Sequence, residues 1–266
     1  MSELVQKAKG IEDLADLRSL DLEALNHQLR QIIPLMNEKE LVTLRQKLER
    51  IYEIEPYVLR IAEKDFQWLR IQNTDRLFED LLAKAPDDPD LEDERMPYWA
   101  DLWPSALGLS QYLLREKPVQ PEQTVLEIGC GLGLCGLMAA SLGAQVTLSD
   151  YMLEPLEVAR YLWLLNREEE PNLLQLDWRY PPPHLQFDVL LASDVSYETR
   201  AHEPLIEAIR KLLRPGGKLL LSEPRRATAN AFFSALAQRG FLTEKKEEKV
   251  KTVGKIMTVD VYEIRL

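Results

Sequence analysis

The residues with the clearest chemical pattern lie in the segment "TVLEIGCGLGLCGLMAASLGAQVTLSD", residues 124–150. Glycine lets a ligand approach the backbone closely, and the helix that begins after such a loop favours electron-rich groups at its N-terminus. Gly131, Gly133 and Gly136 fit G-x-G-x-x-G, a pattern of dinucleotide-binding loops. Since no Gly-Lys-Ser/Thr follows, a P-loop is excluded. The glycines predict a nucleotide site without selecting the nucleotide.

A second pattern, E-x-G-x-G-x-G, overlaps the first and places Glu127 on the strand before the loop. A carboxylate at this place would repel a pyrophosphate and attract a cation. S-adenosylmethionine (SAM) carries an ammonium and a sulfonium, so this pattern favours SAM over a dinucleotide. Asp150 ends the next strand, where a carboxylate could accept hydrogen bonds from both ribose hydroxyls under either hypothesis.

Two residues after the third predicted strand are candidates for binding adenine. Asp177 could accept a hydrogen bond from the adenine amino group, and Trp178 offers an aromatic surface to the base. The alternative for Trp178 is a half-buried packing role. Because no loop suits a nicotinamide ring, we predict SAM as the cofactor and S-adenosylhomocysteine (SAH) as its product.

The elements that must position these residues alternate between strands and helices from residue 124 onward. We predict strands over 124–128, 145–149, 173–177, 187–192 and 217–222, and helices near 133–142, 153–166, 202–213 and 227–239. This alternation indicates a doubly wound α/β fold, with a parallel sheet covered on both faces. The segments on either side of Thr252-Val253-Gly254 predict a terminal antiparallel pair of strands.

The N-terminal part of the chain has a different pattern. Apolar residues at three- and four-residue intervals predict two helices within 11–55, and the alternation over 57–73 predicts a β-hairpin. We therefore expect a helical extension, 1–55, and a main domain, 56–266. Residues 75–95 hold nine acidic and three basic side chains, which indicates a solvated loop or a field that attracts a basic partner.

Composition excludes several classes of protein. The net charge of −11 disfavours a nucleic-acid partner, because binding phosphates requires a basic surface. No apolar run reaches the roughly 18 residues of a membrane span, and the first residues lack the apolar core of a secretory signal. Cys130 and Cys135 are too few for a disulfide framework or a four-ligand zinc site. We predict a cytoplasmic protein without a metal and leave its oligomeric state open.

Three segments resemble the class I, seven-strand SAM-dependent methyltransferases, and among these a family of protein-lysine methyltransferases with a D-x-x-Y motif. They are "YWADLWPSALGLSQYL", "VLEIGCGLGLCGLMAASLGAQVTLSD" and "VLLASDVSYE", the last of which contains Asp194 and Tyr197. The resemblance covers about residues 57–266. It implies a Rossmann-like sheet of seven strands, mostly parallel, with an antiparallel last strand.

The resemblance also implies roles for particular residues. Cofactor contacts would come from Trp103, Glu127, Gly129, Cys130, Gly131, Asp150, Trp178 and Ser193. Asp194 and Tyr197 would lie at the reacting end. There Asp194 could hold an incoming ammonium, and Tyr197 could orient the amine by a hydrogen bond and a cation–π contact. The alternatives for this pair are capping a turn and lining the core.

Together these residues predict an enzyme that methylates the ε-amine of a protein lysine. Such an amine, with a pKa of about 10.4, must lose a proton before it attacks, so positioning supplies a large part of the rate. Methylation of a small amine or another metabolite is one alternative. A non-catalytic SAM-binding interaction protein, with residues 11–55 as its partner surface, is a second, and an NAD-dependent oxidoreductase is a third.

Overall fold

The computed structural model describes residues 38–252 and 254–266. The chain divides into two compact units, Met1–Leu44 and Arg45–Leu266. In the first unit residues 38–44 are helical, and the first of the two predicted N-terminal helices lies outside the described residues. The second unit begins with helical residues 45–49. The predicted division into 1–55 and 56–266 stays a prediction.

A β-hairpin precedes the sheet, as the alternation over 57–73 predicted. Strands β1 (Ile54–Ile61) and β2 (Lys64–Ile71) pair antiparallel. Between them Ala62 and Glu63 both have positive φ, which is the backbone geometry of a tight hairpin turn. The alternation thus predicted the strands, whereas Ala-Glu is not a residue pair that favours this turn.

A seven-stranded sheet forms the centre of the second unit. Its strands are β3 (Thr124–Ile128), β4 (Gln145–Asp150), β5 (Asn172–Gln175), β6 (Phe187–Ser193), β7 (Leu213–Glu223), β8 (Leu242–Thr252) and β9 (Lys255–Arg265). Their order is β5-β4-β3-β6-β7-β9-β8. β3 to β7 pair in parallel, whereas β9 is antiparallel to both β7 and β8. This topology confirms the predicted fold class, including the antiparallel last strand.

The α-helices after the β-hairpin include those that cover both faces of the sheet. They are α1 (Thr74–Leu82), α2 (Pro89–Glu92), α3 (Pro104–Glu116), α4 (Leu134–Ala140), α5 (Leu153–Leu164), α6 (His202–Leu212) and α7 (Ala229–Gln238). Alternate strand residues project to opposite sides. Leu126 packs in one buried cluster with Ile209 of α6 and Phe232 of α7, while the adjacent Glu127 bonds to α4 on the other side. In the described part of the chain, every helix is too short or too polar to span a membrane.

The acidic segment 75–95 is mostly helical, so its interpretation as a loop is wrong. Asp88 and Pro89 mark the start of α2, where the Asp88 side chain accepts a hydrogen bond from the backbone N–H of Asp90 at 2.9 Å. An aspartate at the N-cap followed by proline is a helix-start signal. Lys84 and Arg95 both form ion pairs with Asp90, so part of the negative charge is balanced within the segment.

Candidate active site

A cavity of about 290 Å³ opens at the carboxyl edge of β3, β4 and β6. In doubly wound sheets ligands bind at this edge, at the point where the strand order reverses. Of the predicted site residues, the cavity is lined by Trp103, Gly129, Cys130, Gly131, Asp150, Trp178, Ser193, Asp194 and Tyr197. Glu127 and Asp177 lie outside its wall. One cavity thus brings most of the predicted cofactor residues together with both predicted catalytic residues.

Backbone N–H groups of the glycine loop after β3 bind it to the end of β4. The Cys130 N–H donates to the Ser149 carbonyl at 2.8 Å, and the Gly131 N–H donates to Asp150 Oδ2 at 3.1 Å. Gly129 has a φ of +60°, and a Cβ at this position would lie 3.3 Å from the Trp178 ring. Glycine is therefore required at 129 for both reasons. The loop therefore contacts both Asp150, at the end of β4, and Trp178, after β5.

Asp150 is a desolvated acceptor at the end of β4. Its two carboxylate oxygens accept hydrogen bonds from the backbone N–H groups of Gly131 and Met152, at 3.1 and 3.2 Å. Burial raises the pKa of Asp150 to about 6, although these hydrogen bonds act in the opposite direction. Above that pH the ionised carboxylate has further lone pairs, which suit the two hydroxyls of a ribose.

Glu127 lies behind the glycine loop. Its side chain is buried, with 1% of the residue exposed, and its Oε2 accepts a hydrogen bond from the Gly136 N–H of α4 at 2.8 Å. Burial raises the pKa of Glu127 to about 8, so the carboxyl is mostly protonated at neutral pH. A neutral carboxyl does not supply the field that the sequence argument for a cationic cofactor assumed. In this structure Glu127 ties α4 to β3.

Asp177 is also outside the cavity wall, where an arginine holds it. Arg179 Nε donates to Asp177 Oδ1 at 2.9 Å, and the other end of the same guanidinium donates to both oxygens of Asp93, at 2.7 and 3.0 Å. The hydrogen bonds from Arg179 lower the pKa of Asp93 to about 2. Asp177 therefore anchors an ion-pair network.

This network fixes the strap, which we define as residues 93–98, across the cavity. The Tyr151 hydroxyl donates to Asp93 Oδ2 at 3.0 Å and accepts from Arg95 Nε at 2.8 Å. Tyr151 directly follows Asp150, and the strap residues Glu94, Arg95, Met96 and Tyr98 line the cavity. The strap was missed by the sequence analysis, because its position depends on side chains far apart in the chain.

Asp194 reaches the cavity from the end of β6 in a left-handed backbone conformation, with a φ of 55°. Its backbone N–H donates to the Ser222 carbonyl of β7 at 3.0 Å. Its carboxylate forms a two-point ion pair with Arg226, whose Nε and Nη2 donate at 2.9 and 2.8 Å. Arg226 also lines the cavity. The sequence analysis missed Arg226, since Arg225 beside it is of the same type and no motif distinguishes the two.

Aromatic rings surround the ion pair of Asp194 and Arg226. The Arg226 guanidinium lies 5.9 Å from the centroid of the Trp103 ring. The Tyr98 ring contacts the rings of Trp103 and Tyr197 edge-on, with centroids 6.1 and 5.8 Å apart. Burial raises the pKa of Tyr197 to about 12, so its hydroxyl keeps its proton at neutral pH. Tyr98 was missed as well, although it belongs to the segment that carries the resemblance.

A buried glutamate supports the loop that presents Asp194 and Tyr197. Glu223 Oε2 accepts a hydrogen bond from Ser196 Oγ at 2.9 Å, and Oε1 accepts one from the Arg226 N–H at 2.9 Å. Burial raises the pKa of Glu223. Glu223 thus connects the loop after β6 to the loop after β7, and it sets the relative position of the two ion-paired residues.

The residues in the cavity fit SAM. Its wall combines a glycine loop, an acid at the end of the second parallel strand and an aromatic residue after the third. Trp99 also lines the cavity. In the same part of the chain, no group of three or more His, Cys, Asp or Glu side chains is arranged to hold a metal ion.

A family model for lysine methyltransferases matches residues 91–239, more than half of the 266 residues. The chain belongs to this family. The matched region begins in α2 and includes the strap, the glycine loop, Asp194 and Arg226. Family membership confirms the predicted class, the SAM-dependent methyltransferases, and the predicted cofactor.

The relatives of this chain differ in the acceptor that their names specify. The histone-arginine methyltransferase METTL23 of Rattus norvegicus is 32% identical over 147 residues, which are 50% of this chain and 64% of the relative. The electron transfer flavoprotein beta subunit lysine methyltransferase of Xenopus laevis is 29% identical, over 57% of this chain and 64% of the relative. The histidine protein methyltransferase 1 homolog of Dictyostelium discoideum is 28% identical, over 62% and 52%. The chain thus spans less than two thirds of each of these relatives.

Among solved structures, the chain is similar to the N-methyltransferase NodS of Bradyrhizobium japonicum in complex with SAH. The TM-score is 0.49 at 19% identity, with 72% of this chain and 98% of that chain covered. It is also similar to the magnesium protoporphyrin IX methyltransferase of Synechocystis with bound SAM, with a TM-score of 0.48 at 19% identity, over 73% and 92% of the two chains.

Proposed function

We propose that this chain transfers a methyl group from SAM to a side-chain nitrogen of a protein, and that the acceptor is lysine. The observation that carries the proposal is the shared cavity, in which Asp150 and Trp178 meet Asp194 and Tyr197. Methyl transfer needs the donor and the acceptor held in one water-poor space and aligned with each other. A cofactor site without an adjoining acceptor site would not meet that need.

In this proposal the cofactor lies along the glycine loop. Asp150 accepts hydrogen bonds from the ribose hydroxyls, Trp178 packs against the adenine, and Gly129 and Gly131 leave room for the ligand beside the backbone. Trp103, Cys130 and Ser193 complete the wall. When bound, SAM supplies a methyl group that its positive sulfur activates for displacement. The direct contacts predicted for Glu127 and Asp177 stay predictions, and we assign both residues supporting roles.

Tyr197 orients the acceptor nitrogen. Because its pKa is raised to about 12, its hydroxyl donates or accepts a hydrogen bond without taking up the acceptor's proton, which passes to water. The carboxylate of Asp194 is already neutralised by Arg226. We therefore assign Asp194 a positioning role, in which it holds Arg226 against the Trp103 ring and fixes the loop that carries Tyr197.

The names of the relatives support a protein as the partner, since they specify arginine, lysine and histidine side chains of proteins. The net charge of −11 argues against nucleic acid. We propose the cytoplasm as the location, because Cys130 and Cys135 are both free and buried thiols. The N-terminal extension, 1–55, is proposed as a separate element from the methyltransferase domain, 56–266.

The experiment that tests this function uses the purified chain, radiolabelled SAM and a cell extract depleted of endogenous methylation. A labelled protein band, followed by mass spectrometry of the modified residue, supports the proposal and identifies the acceptor. Label confined to small molecules supports a metabolite methyltransferase instead. Binding of SAH without any label transfer supports a non-catalytic interaction protein. Tyr197→Phe should lower the rate of transfer with little change in the affinity for SAH.

A further inference from the structure

Four acidic residues line the cavity, and their carboxylates differ in what they contact. These are Glu94, Asp101, Asp150 and Asp194. Glu94 pairs with Arg200 at 2.8 Å, Asp194 pairs with Arg226, and Asp150 accepts from two backbone N–H groups. The carboxylate of Asp101 has neither a hydrogen bond nor an ion pair within residues 38–252 and 254–266.

Asp101 lines the same cavity as the candidate catalytic residues, and its backbone is connected to the aromatic residues of the wall. Its backbone N–H donates to the Tyr98 carbonyl at 3.4 Å, and Trp103 Nε1 donates to the same carbonyl at 2.7 Å. The Tyr98 ring in turn contacts the ring of Tyr197. A carboxylate without a partner in a cavity that aromatic rings also line is a suitable environment for a cation, because both the charge and the ring faces attract it.

Asp101 is an exposed residue, but the part of it that the cavity wall covers loses water, and the nearby Asp75 is also negative. Burial and the nearby Asp75 raise the pKa of Asp101, so its carboxylate would gain from a positive group that enters the cavity. By contrast, Asp194 would first have to release Arg226, and releasing it would leave a guanidinium without its partner. The cavity thus has one acid whose charge is uncompensated and another whose charge is already balanced.

We propose that Asp101 binds the cationic side chain of the acceptor, an ammonium or a guanidinium, and thereby selects it over neutral side chains. The inference rests on the proposed function and deepens it, since it moves charge recognition from Asp194 to Asp101. It also sets the acceptor class: lysine or arginine side chains fit this acid better than a neutral imidazole or amide. Tyr98 and Trp103 provide the walls along which the aliphatic stem packs.

A binding experiment tests Asp101 without depending on turnover. The probes are three blocked tripeptides, with lysine, arginine or the neutral norleucine between two glycines, titrated into the SAH-saturated protein by NMR. In the wild type we expect the lysine and arginine peptides to bind at least about fivefold more tightly than the norleucine peptide, a typical effect of a charged partner. Asp101→Asn should remove this preference and leave the affinity for the norleucine peptide unchanged.

Asp75→Asn is the matched control. It removes the same charge from the same region, but Asp75 is exposed on α1 and does not line the cavity. We expect the charge preference of this variant to stay within about twofold of the wild type, because Asp75 lies outside the cavity and solvent screens its charge from a peptide bound there. The affinity for SAH and the unfolding temperature of all three proteins should agree, which shows that each variant is folded.

The outcomes separate this inference from the proposed function. If Asp101→Asn keeps the preference for cationic peptides, or if the wild type has no such preference, Asp101 is not the recognition residue and the inference is overturned. The proposed function is tested by two other measurements: it is wrong if the wild type does not bind SAH or does not transfer label. Once an acceptor is known, Asp101→Asn should raise its KM at least about fivefold while kcat changes less.

Discussion

The two ends of the cavity are built in different ways. At the cofactor end the loop from Gly129 to Gly131 and the acid Asp150 come from consecutive parallel strands, and backbone N–H groups make most of the contacts. At the acceptor end Asp101, Asp194 and Arg226 come from three distant segments, and a side-chain ion pair positions Asp194 and Arg226. At the cofactor end, we expect the removal of a ligand contact to weaken the binding of SAH. At the acceptor end, we expect the rate of methyl transfer to fall when a charged side chain loses its partner.

The largest expected effect is at the cofactor end, in Asp150→Ala. If Asp150 accepts from both ribose hydroxyls, its removal should weaken the binding of SAH at least about 100-fold, since each hydrogen bond to a charged group contributes roughly 1.5–3 kcal/mol. Isothermal titration calorimetry measures this change. A loss of less than about tenfold would place the ribose elsewhere.

Asp188→Ala is the matched control for Asp150→Ala. Asp188 also accepts from a backbone N–H, that of Thr124 at 2.8 Å, and it pairs with Arg214 at 2.9 Å. It lies near the start of β6, next to the first residue of β3, and does not line the cavity. This variant should lower the unfolding temperature and leave the affinity for SAH unchanged.

The next effect is at the acceptor end, in Arg226→Met. The side chain of Asp194 is 6% exposed, so the loss of Arg226 leaves a buried carboxylate without its partner, which costs about 3–5 kcal/mol in comparable pairs. We expect the rate of methyl transfer to fall at least about tenfold, with the affinity for SAH little changed. Arg225→Met is the control, because Arg225 pairs with Asp260 outside the cavity.

The contrast between the two ends also explains what could be predicted from the sequence. The individual parallel strands and the glycine loop follow from local patterns, because hydrophobic periodicity and glycine spacing specify local backbone structure. The strap and Arg226 depend on ion pairs such as Asp93 with Arg179, which are 86 residues apart in the chain, and no short motif encodes such a pair. Glu127 shows a third case: the pattern located the residue, but only its burial reveals that it is mostly protonated.

Arg179→Met should have a smaller effect, on how fast the cofactor leaves. This substitution removes both contacts between Arg179 and Asp93 and loosens the strap, which Tyr151 still holds, so the dissociation rate of SAH should rise about threefold to tenfold. Stopped-flow fluorescence measures the rate. Arg179 is 40% exposed in its side chain, so added salt should speed dissociation from the wild type more than from the variant. Arg167→Met, whose arginine pairs with Glu169 and contacts Trp163, should leave the rate unchanged.

The smallest effect on the affinity for SAH is expected for Glu127→Gln. This substitution should instead change how the stability of the folded chain depends on pH. The pKa of Glu127 in the folded chain is about 8, above its ordinary value of 4.5. Between these values the folded state holds a proton that the unfolded state has released, so the stability of the wild type falls as the pH rises through this window. Glutamine has no such proton, and its amide oxygen can still accept from the Gly136 N–H.

The unfolding temperature of Glu127→Gln relative to the wild type should therefore rise by several degrees between about pH 5 and pH 8, at roughly 2–4 °C per kcal/mol for a chain of this size. The affinity for SAH at neutral pH should stay within about twofold, unlike that of Asp150→Ala. If the unfolding temperatures of the two proteins change with pH in the same way, Glu127 is ionised at neutral pH. A carboxylate behind the glycine loop would then contribute to the attraction of a cationic cofactor after all, and the cofactor end would depend on charge as the acceptor end does.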